Sequence, residues 1–286
     1  MSPGEVTAQG TSVKVAGGRL LRSEMRLVFR RRRTIALLAA LVAIPVLIAV
    51  ALQLTSGPPA PGDGPPFLDQ VAQSGAFVAA TSVVVAIPLF LPLTIAVVAG
   101  DSVAGEASNG TLRYLLLAPA GRSRLLAVKV AVVLLFCLVA PALMAIVGLA
   151  LGNLLFGGGD AASLSGGTLT QADLLVRIAL LTLYTALSMV GVASIGVFVS
   201  TLTDVPVGAM ATAIIVAVAS QILGGLPQLE WLHPWLLTDR WLDFADLLRT
   251  PIVWDSFVGN LALQGGYAAV FLSLAWARLT TKDILS

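Results

Sequence analysis

Six stretches of this chain are apolar for the full length of a bilayer crossing, and nothing else in the sequence restricts the fold as tightly. They cover roughly residues 34–54, 75–99, 127–156, 174–199, 205–224 and 257–275. About 20 apolar residues in a helix span the hydrocarbon core, and a helix satisfies its own backbone hydrogen bonds there. Only 11% of the 286 residues are charged, against about 25% in a soluble domain. The predicted fold is therefore an all-α polytopic membrane protein, with six transmembrane helices over residues 34–277. The third and fourth stretches are longer than needed, which predicts tilt or projection beyond the bilayer.

Lysine and arginine placement sets the expected orientation. Fourteen of the seventeen fall on one side: eight in the N-terminal tail, four between the second and third stretches, and Arg278 and Lys282 near the C-terminus. Arg177, Arg240 and Arg249 fall on the other. Both termini are predicted to be cytoplasmic, with residues 278–286 as a short tail. The first stretch follows a run of arginines, but its apolar core exceeds the roughly 7–15 residues of a cleaved signal. It reads as a retained helix. The Pro- and Gly-rich residues 57–66 behind it read as an extended external linker.

Residues 1–18 read as a disordered cytoplasmic tail. From 19 to 33 a pattern emerges. At 100° per residue, Leu21, Met25, Val28 and Phe29 share one face, while Arg19, Arg22, Arg26, Arg30 and Arg33 share the opposite one. Like charges four apart destabilise an isolated helix. They become favourable where the arginines meet anionic headgroups and the apolar face enters the interface. An amphipathic interfacial helix is predicted over 19–33, with those five arginines at the membrane surface.

The apolar stretches exclude several chemistries. They hold almost no ionisable residue, so a proton or ion relay has no groups to use. Lys129 and Arg177 lie near stretch ends, where long side chains snorkel outward. Gln53, Gln221 and Gln264 do not titrate. The single His233 excludes a multi-histidine metal site, and the single Cys137 excludes an intramolecular disulfide. None of Lys14, Lys129 and Lys282 follows the glycine pattern of a phosphate-binding loop. The expectation is a chain with no catalytic constellation, no metal and no nucleic-acid partner. Pro45, Pro88, Pro92 and Pro141 are expected to interrupt or bend helices. Gly148, Gly152, Gly191, Ser194 and Gly196 permit close helix approach.

Residues 226–255 are too long for a turn and too polar to cross. They hold Trp231, Trp235, Trp241 and Trp254 among prolines and acids. Short external helices anchored at the interface by those four tryptophans are predicted. One would start at Thr238 or Asp239 and run to Leu248, with an Asp246–Arg249 pair.

The most chemically varied segment, residues 100–129, lies between the second and third stretches. Leu112, Leu115 and Leu116 share one face of a helix that begins near Thr111 and ends by Pro119. That is about two turns, too short to span anything. Asn109–Gly110 separates it from the second stretch, and Ala120–Gly121 turns the chain toward the third. Glu106, Arg113 and Arg122 flank it. Such a helix suits docking into a protein groove, and it suits lying on lipid headgroups equally well.

The order Asp101, Glu106, Gly110, Thr111, Arg113, Pro119, Arg122 and Lys129, between the second and third of six spans, resembles the permease subunits of ABC-2 type transporters. The basic lead-in helix, the six-span count and the Trp-rich connection before the last span share that resemblance. It implies a half-transporter that pairs with a second permease chain, identical or homologous, and works with two copies of a separate ABC ATPase subunit. ATP and Mg would sit on that ATPase, and this chain would carry no cofactor. The short helix would be a cytoplasmic coupling helix in a groove of the ATPase. Asp101, Glu106, Gly110, Thr111, Leu112, Arg113, Leu115, Leu116, Pro119 and Arg122 would form the interface. The expected activity is export of a lipophilic or amphiphilic compound across a bacterial plasma (inner) membrane.

Three rival readings remain open on sequence. A non-transporting scaffold or immunity protein of the same fold would lack an ATPase partner. A secondary transporter would run on an ion gradient, and an intramembrane enzyme acting on lipids would need titratable residues facing a cavity.

Overall fold

The computed structural model describes residues 15–54, 76–110, 121–156, 161–162, 168–248 and 251–281. Among them, six helical stretches are long and apolar enough to cross a membrane. Helix α1 (Val15–Arg30) leads through a bend at Arg31 into α2 (Arg32–Leu54). The second span is divided into α3 (Ala76–Ala86) and α4 (Phe90–Ser108). Helix α5 (Arg122–Phe156) is the third and longest span. The fourth is α6 (Gln171–Ser188) followed by α7 (Val190–Leu202), the fifth α8 (Pro206–Gly224) and the sixth α9 (Asp255–Thr281). A two-residue antiparallel pairing, Ala161–Ala162 with Thr168–Leu169, precedes α6.

Local chemistry explains several boundaries. Helix α6 starts with a capping box: the Thr170 hydroxyl accepts from Asp173 N, and the Asp173 carboxylate accepts from Thr170 N. The second span breaks at Pro88. Pro92 has no N–H to give to the Pro88 carbonyl, and the Gln221 side chain of α8 donates to that carbonyl instead, at 2.6 Å. Pro45 and Pro141, by contrast, lie within α2 and α5, which continue through them. Helix α4 then runs nine residues beyond the expected end of its span, to Ser108. Helix α1 begins at Val15, and Arg32 and Arg33 belong to the first span.

Helix α4 and the α6–α7 pair form the inner layer, whereas α2, α8 and α9 present most of their apolar surface outward. Helix α7 sits at the centre, packed on α4 and α9, and each residue from Gly191 to Val197 is buried. Two of the glycines singled out in the sequence mark close backbone approaches. A Cβ on Gly196 would fall 2.7 Å from Ala99 Cβ, and one on Gly148 would fall 2.6 Å from Ala79 Cα. These contacts rest on missing side chains, the way apolar helices associate where lipid offers no hydrophobic drive.

The connection between α8 and α9 is a folded cap. It contains two 3-10 helices, Pro227–Trp235 and Asp243–Leu248, with turns between them where a single helix from Thr238 or Asp239 was expected. Trp231, Trp235 and Trp254 are exposed, but Trp241 is 2% exposed and packs in the core with Leu237, Phe244 and Leu247. Trp241 is therefore a core residue and not an interfacial anchor. Arg177 is likewise buried: it donates to the Leu247 carbonyl at 2.8 Å instead of snorkelling outward. The Tyr184 hydroxyl donates to the Arg240 carbonyl, and Gln264 donates to the Leu237 carbonyl at 2.9 Å while accepting from Gly191 N. Cap backbone groups are thus satisfied by side chains of the spans they cover. Arg249, and with it the expected pair to Asp246, lies outside the described residues.

Candidate functional site: a charged latch at the basic end

Contacts between distant residues gather the basic ends of the helices at one end of the bundle. Helix α1 carries one acid, Glu24, and it lies on the face that packs against α5. Lys129 of α5 is 4% exposed. Its ammonium lies 2.5 Å from a Glu106 carboxylate oxygen on α4 and 3.6 Å from Glu24. One helix step away, Arg31 pairs with Asp101 of α4. The two groups line one small cleft with Thr34, Ser102 and Val133. Burial of an unpaired ammonium or carboxylate would cost several kcal/mol, so Lys129, Glu106 and Glu24 are retained by one another, while the Arg31–Asp101 pair is only partly buried.

The order of these contacts fixes how α1 sits. Glu24 meets Lys129, Phe29 packs at a tilt against Phe136 with ring centroids 5.8 Å apart, and Arg31 meets Asp101. Helix α1 therefore advances along α5 in the same sense as the chain. Its apolar face, with half-buried Val28 and Phe29, is packed against the bundle and is not free to enter lipid as expected. Arg19, Arg22, Arg26 and Arg30 remain exposed on the opposite side. Arg33 donates to the Met210 sulfur at 2.7 Å, so it bridges α2 to α8.

The end of α4 is tied a third time. The Ser200 hydroxyl of α7 accepts from Val103 N at 3.0 Å and Ala104 N at 2.8 Å, and donates to the Gly100 carbonyl at 2.7 Å. One buried hydroxyl thereby uses its donor and both acceptor positions on a single turn of α4. Beyond this turn the helix ends through Asn109, whose side chain donates to the Gly105 carbonyl at 2.7 Å, and Gly110, at φ 69°. Gly121 adopts φ 70° just before α5. Left-handed glycines thus bracket residues 111–120.

Of the expected interface residues, Asp101, Glu106, Gly110 and Arg122 are described. Thr111, Leu112, Arg113, Leu115, Leu116 and Pro119 lie outside the described residues. Asp101 and Glu106 are engaged within the chain, in the ion pairs above. Arg122 donates to the Thr280 carbonyl at 2.9 Å, completing the C-terminal end of α9. Trp276 of the same helix donates to Ser123 Oγ at 2.9 Å. Sequence reasoning missed Glu24, Arg31 and Ser200 and assigned Lys129 outward. A legible signal existed for Glu24, the one acid among the basic and apolar residues of α1, on its apolar face.

A family model described as ABC-2 family transporter protein matches residues 19–238. No curated protein matches the chain. The match takes in most of α1, all of the latch and five of the six spans.

Proposed function

The chain belongs to the ABC-2 transporter family, and from that premise we propose that it is the permease half of an exporter for a lipophilic or amphiphilic compound. As a multi-pass membrane component of an ABC transporter, it works with a separate ABC ATPase. In the proposed assembly, two copies of that ATPase hold ATP and Mg and dock at residues 101–122. A second permease chain, identical or homologous, completes the path. The basic end faces the cytoplasm of a bacterial cell, with the chain in the plasma membrane.

One observation carries this reading. Helix α4 does not end loosely before residues 111–120; its last two turns are held by Arg31, Lys129 and Ser200. Force applied to the following segment is then passed to α1, α5 and α7 together and not lost in a fraying helix end. Asp101 and Glu106 act as internal fasteners of the lever, while Leu112, Leu115 and Leu116 are the surface offered to the ATPase. Movement of that unit between two arrangements opens and closes the path between permease copies. A permease needs no reacting group for this task.

Leu116→Asp tests the reading in the reconstituted complex. The variant chain inserts and folds, while cargo transport per ATP hydrolysed falls about tenfold or more, the effect of removing one buried apolar anchor. Transport at the wild-type ratio would sink the docking assignment.

A further inference from the structure

The sixth span turns most of its surface away from the bundle, and one flank of it is hollow. Leu263, Gly266, Tyr267, Val270 and Phe271 of α9 line a groove of about 400 Å³ together with Trp235 of the cap. That volume lies within the range of ligand pockets, about 300–1,000 Å³. We propose that the groove holds one acyl chain of a phospholipid from the leaflet on the cap side of the membrane. At 100° per residue the α9 positions share one flank, with Gly266 between Leu263 toward the cap and Val270 one turn further on. A glycine weakens the interior of a helix, yet a Cβ on Gly266 would meet nothing within 4 Å. Among the described residues no neighbour packs into that gap, unlike the gaps at Gly148 and Gly196. The aromatic edge is braced from behind. Tyr267 and Phe271 stack with their planes 9° apart, and Phe271 packs against Phe198 of α7 with ring centroids 5.7 Å apart.

Shape and chemistry select the occupant. The lining is almost wholly apolar, and its one hydroxyl, on Tyr267, is committed to the Trp235 carbonyl at 2.8 Å. The Trp235 ring, 72% exposed, stands at the cap end, where tryptophan sits at a membrane interface with its N–H toward the headgroups. Polarity is therefore confined to one end. From Ala262 to Phe271 the helix rises about 13 Å, a little under half of the hydrocarbon core. The groove thus runs from the interface toward mid-bilayer, which is the path of a lipid chain. A helix of a second copy is about 10 Å across. It is kept off Gly266 by the Trp235 ring at one end and by Val270, 56% exposed, at the other.

The test uses the full chain in phosphatidylcholine vesicles doped with a phosphatidylcholine that carries a diazirine midway along one chain. After illumination, labelled residues are identified by mass. Residues 262–271 should take up several-fold more label than Leu47 and Val50, which face outward on the cap-side half of α2. Gly266→Leu fills the groove and should bring the label down to that level. Ala262→Leu, at an exposed position of the same lining, should lower it too. Gly208→Leu, equally open on α8, should change nothing. Wild-type labelling of 262–271 no stronger than that of α2 overturns the proposal, as does full labelling in Gly266→Leu or an equal fall in Gly208→Leu. Chain-to-chain cross-links through 262–271 in place of the lipid label also overturn it, since a second copy would then cover the groove. Neither transport nor the direction of the chain in the membrane enters the readout, so failure here is distinct from failure of the Leu116→Asp experiment.

Discussion

Lys129 shows how much one side chain decides at this end of the bundle. It faces two carboxylates from two different helices, Glu24 and Glu106, and all three groups are nearly buried. Lys129→Met would leave both acids in a low-dielectric site without a counter-charge, at a cost of about 3–5 kcal/mol. The expected outcome is a marked drop in melting temperature in detergent. Adding Glu24→Gln and Glu106→Gln to the same chain should recover much of it, because paired removal is far cheaper than orphaning a charge. A triple variant no more stable than Lys129→Met would show that the loss is one of packing and not of charge. The same residue marks the limit of sequence reasoning: a lysine near the start of an apolar stretch reads as a snorkelling side chain, and only the approach of α1 and α4 turns it inward.

Among the elements, the divided second span is the most informative. The Pro88 and Pro92 pair announces a break in the sequence, and the break is there. What sequence could not supply is the repair: the Pro88 carbonyl takes its hydrogen bond from Gln221, more than a hundred residues away. Gln221→Leu removes that donor and leaves a carbonyl facing apolar surroundings. It should destabilise the α3–α4 junction by about 1 kcal/mol, the usual worth of such an interhelical bond in membranes. Hydrogen exchange is the check, with faster exchange confined to residues around 86–93. Unchanged protection there would mean that water or another group satisfies the carbonyl. Pro45 and Pro141 carry the same residue type with no break, since an isolated proline leaves enough intact bonds on either side for the helix to continue.

Across the whole molecule, two ends of opposite character follow from one bundle. The basic end is tied by ion pairs and Ser200, and the other is sealed by a cap whose backbone is held by Arg177, Tyr184 and Gln264. The proposed orientation can be tested on this contrast. Cys137, the chain's one cysteine, is 1% exposed and should stay silent toward a membrane-impermeant maleimide. A cysteine introduced at Gln228 in the cap should label on intact cells, and one at Gly121 only after the membrane is opened. Labelling in the reverse order would invert the topology and remove the basis for the docking proposal.

Sequence by itself determined the class of fold, the six spans and the crowding of basic residues toward one face of the membrane. These depend on the transfer free energy of each segment, a property that segment carries alone into the bilayer. The tertiary structure decided the fate of individual polar and aromatic side chains. Trp241 goes to the core and Trp231 to the surface; Arg122 completes the last helix; Glu24 crosses to Lys129. Each outcome depends on which group from a distant part of the chain arrives within hydrogen-bond reach. Burial without such a partner is costly and burial with one is tolerated, so no local pattern could have told the two apart.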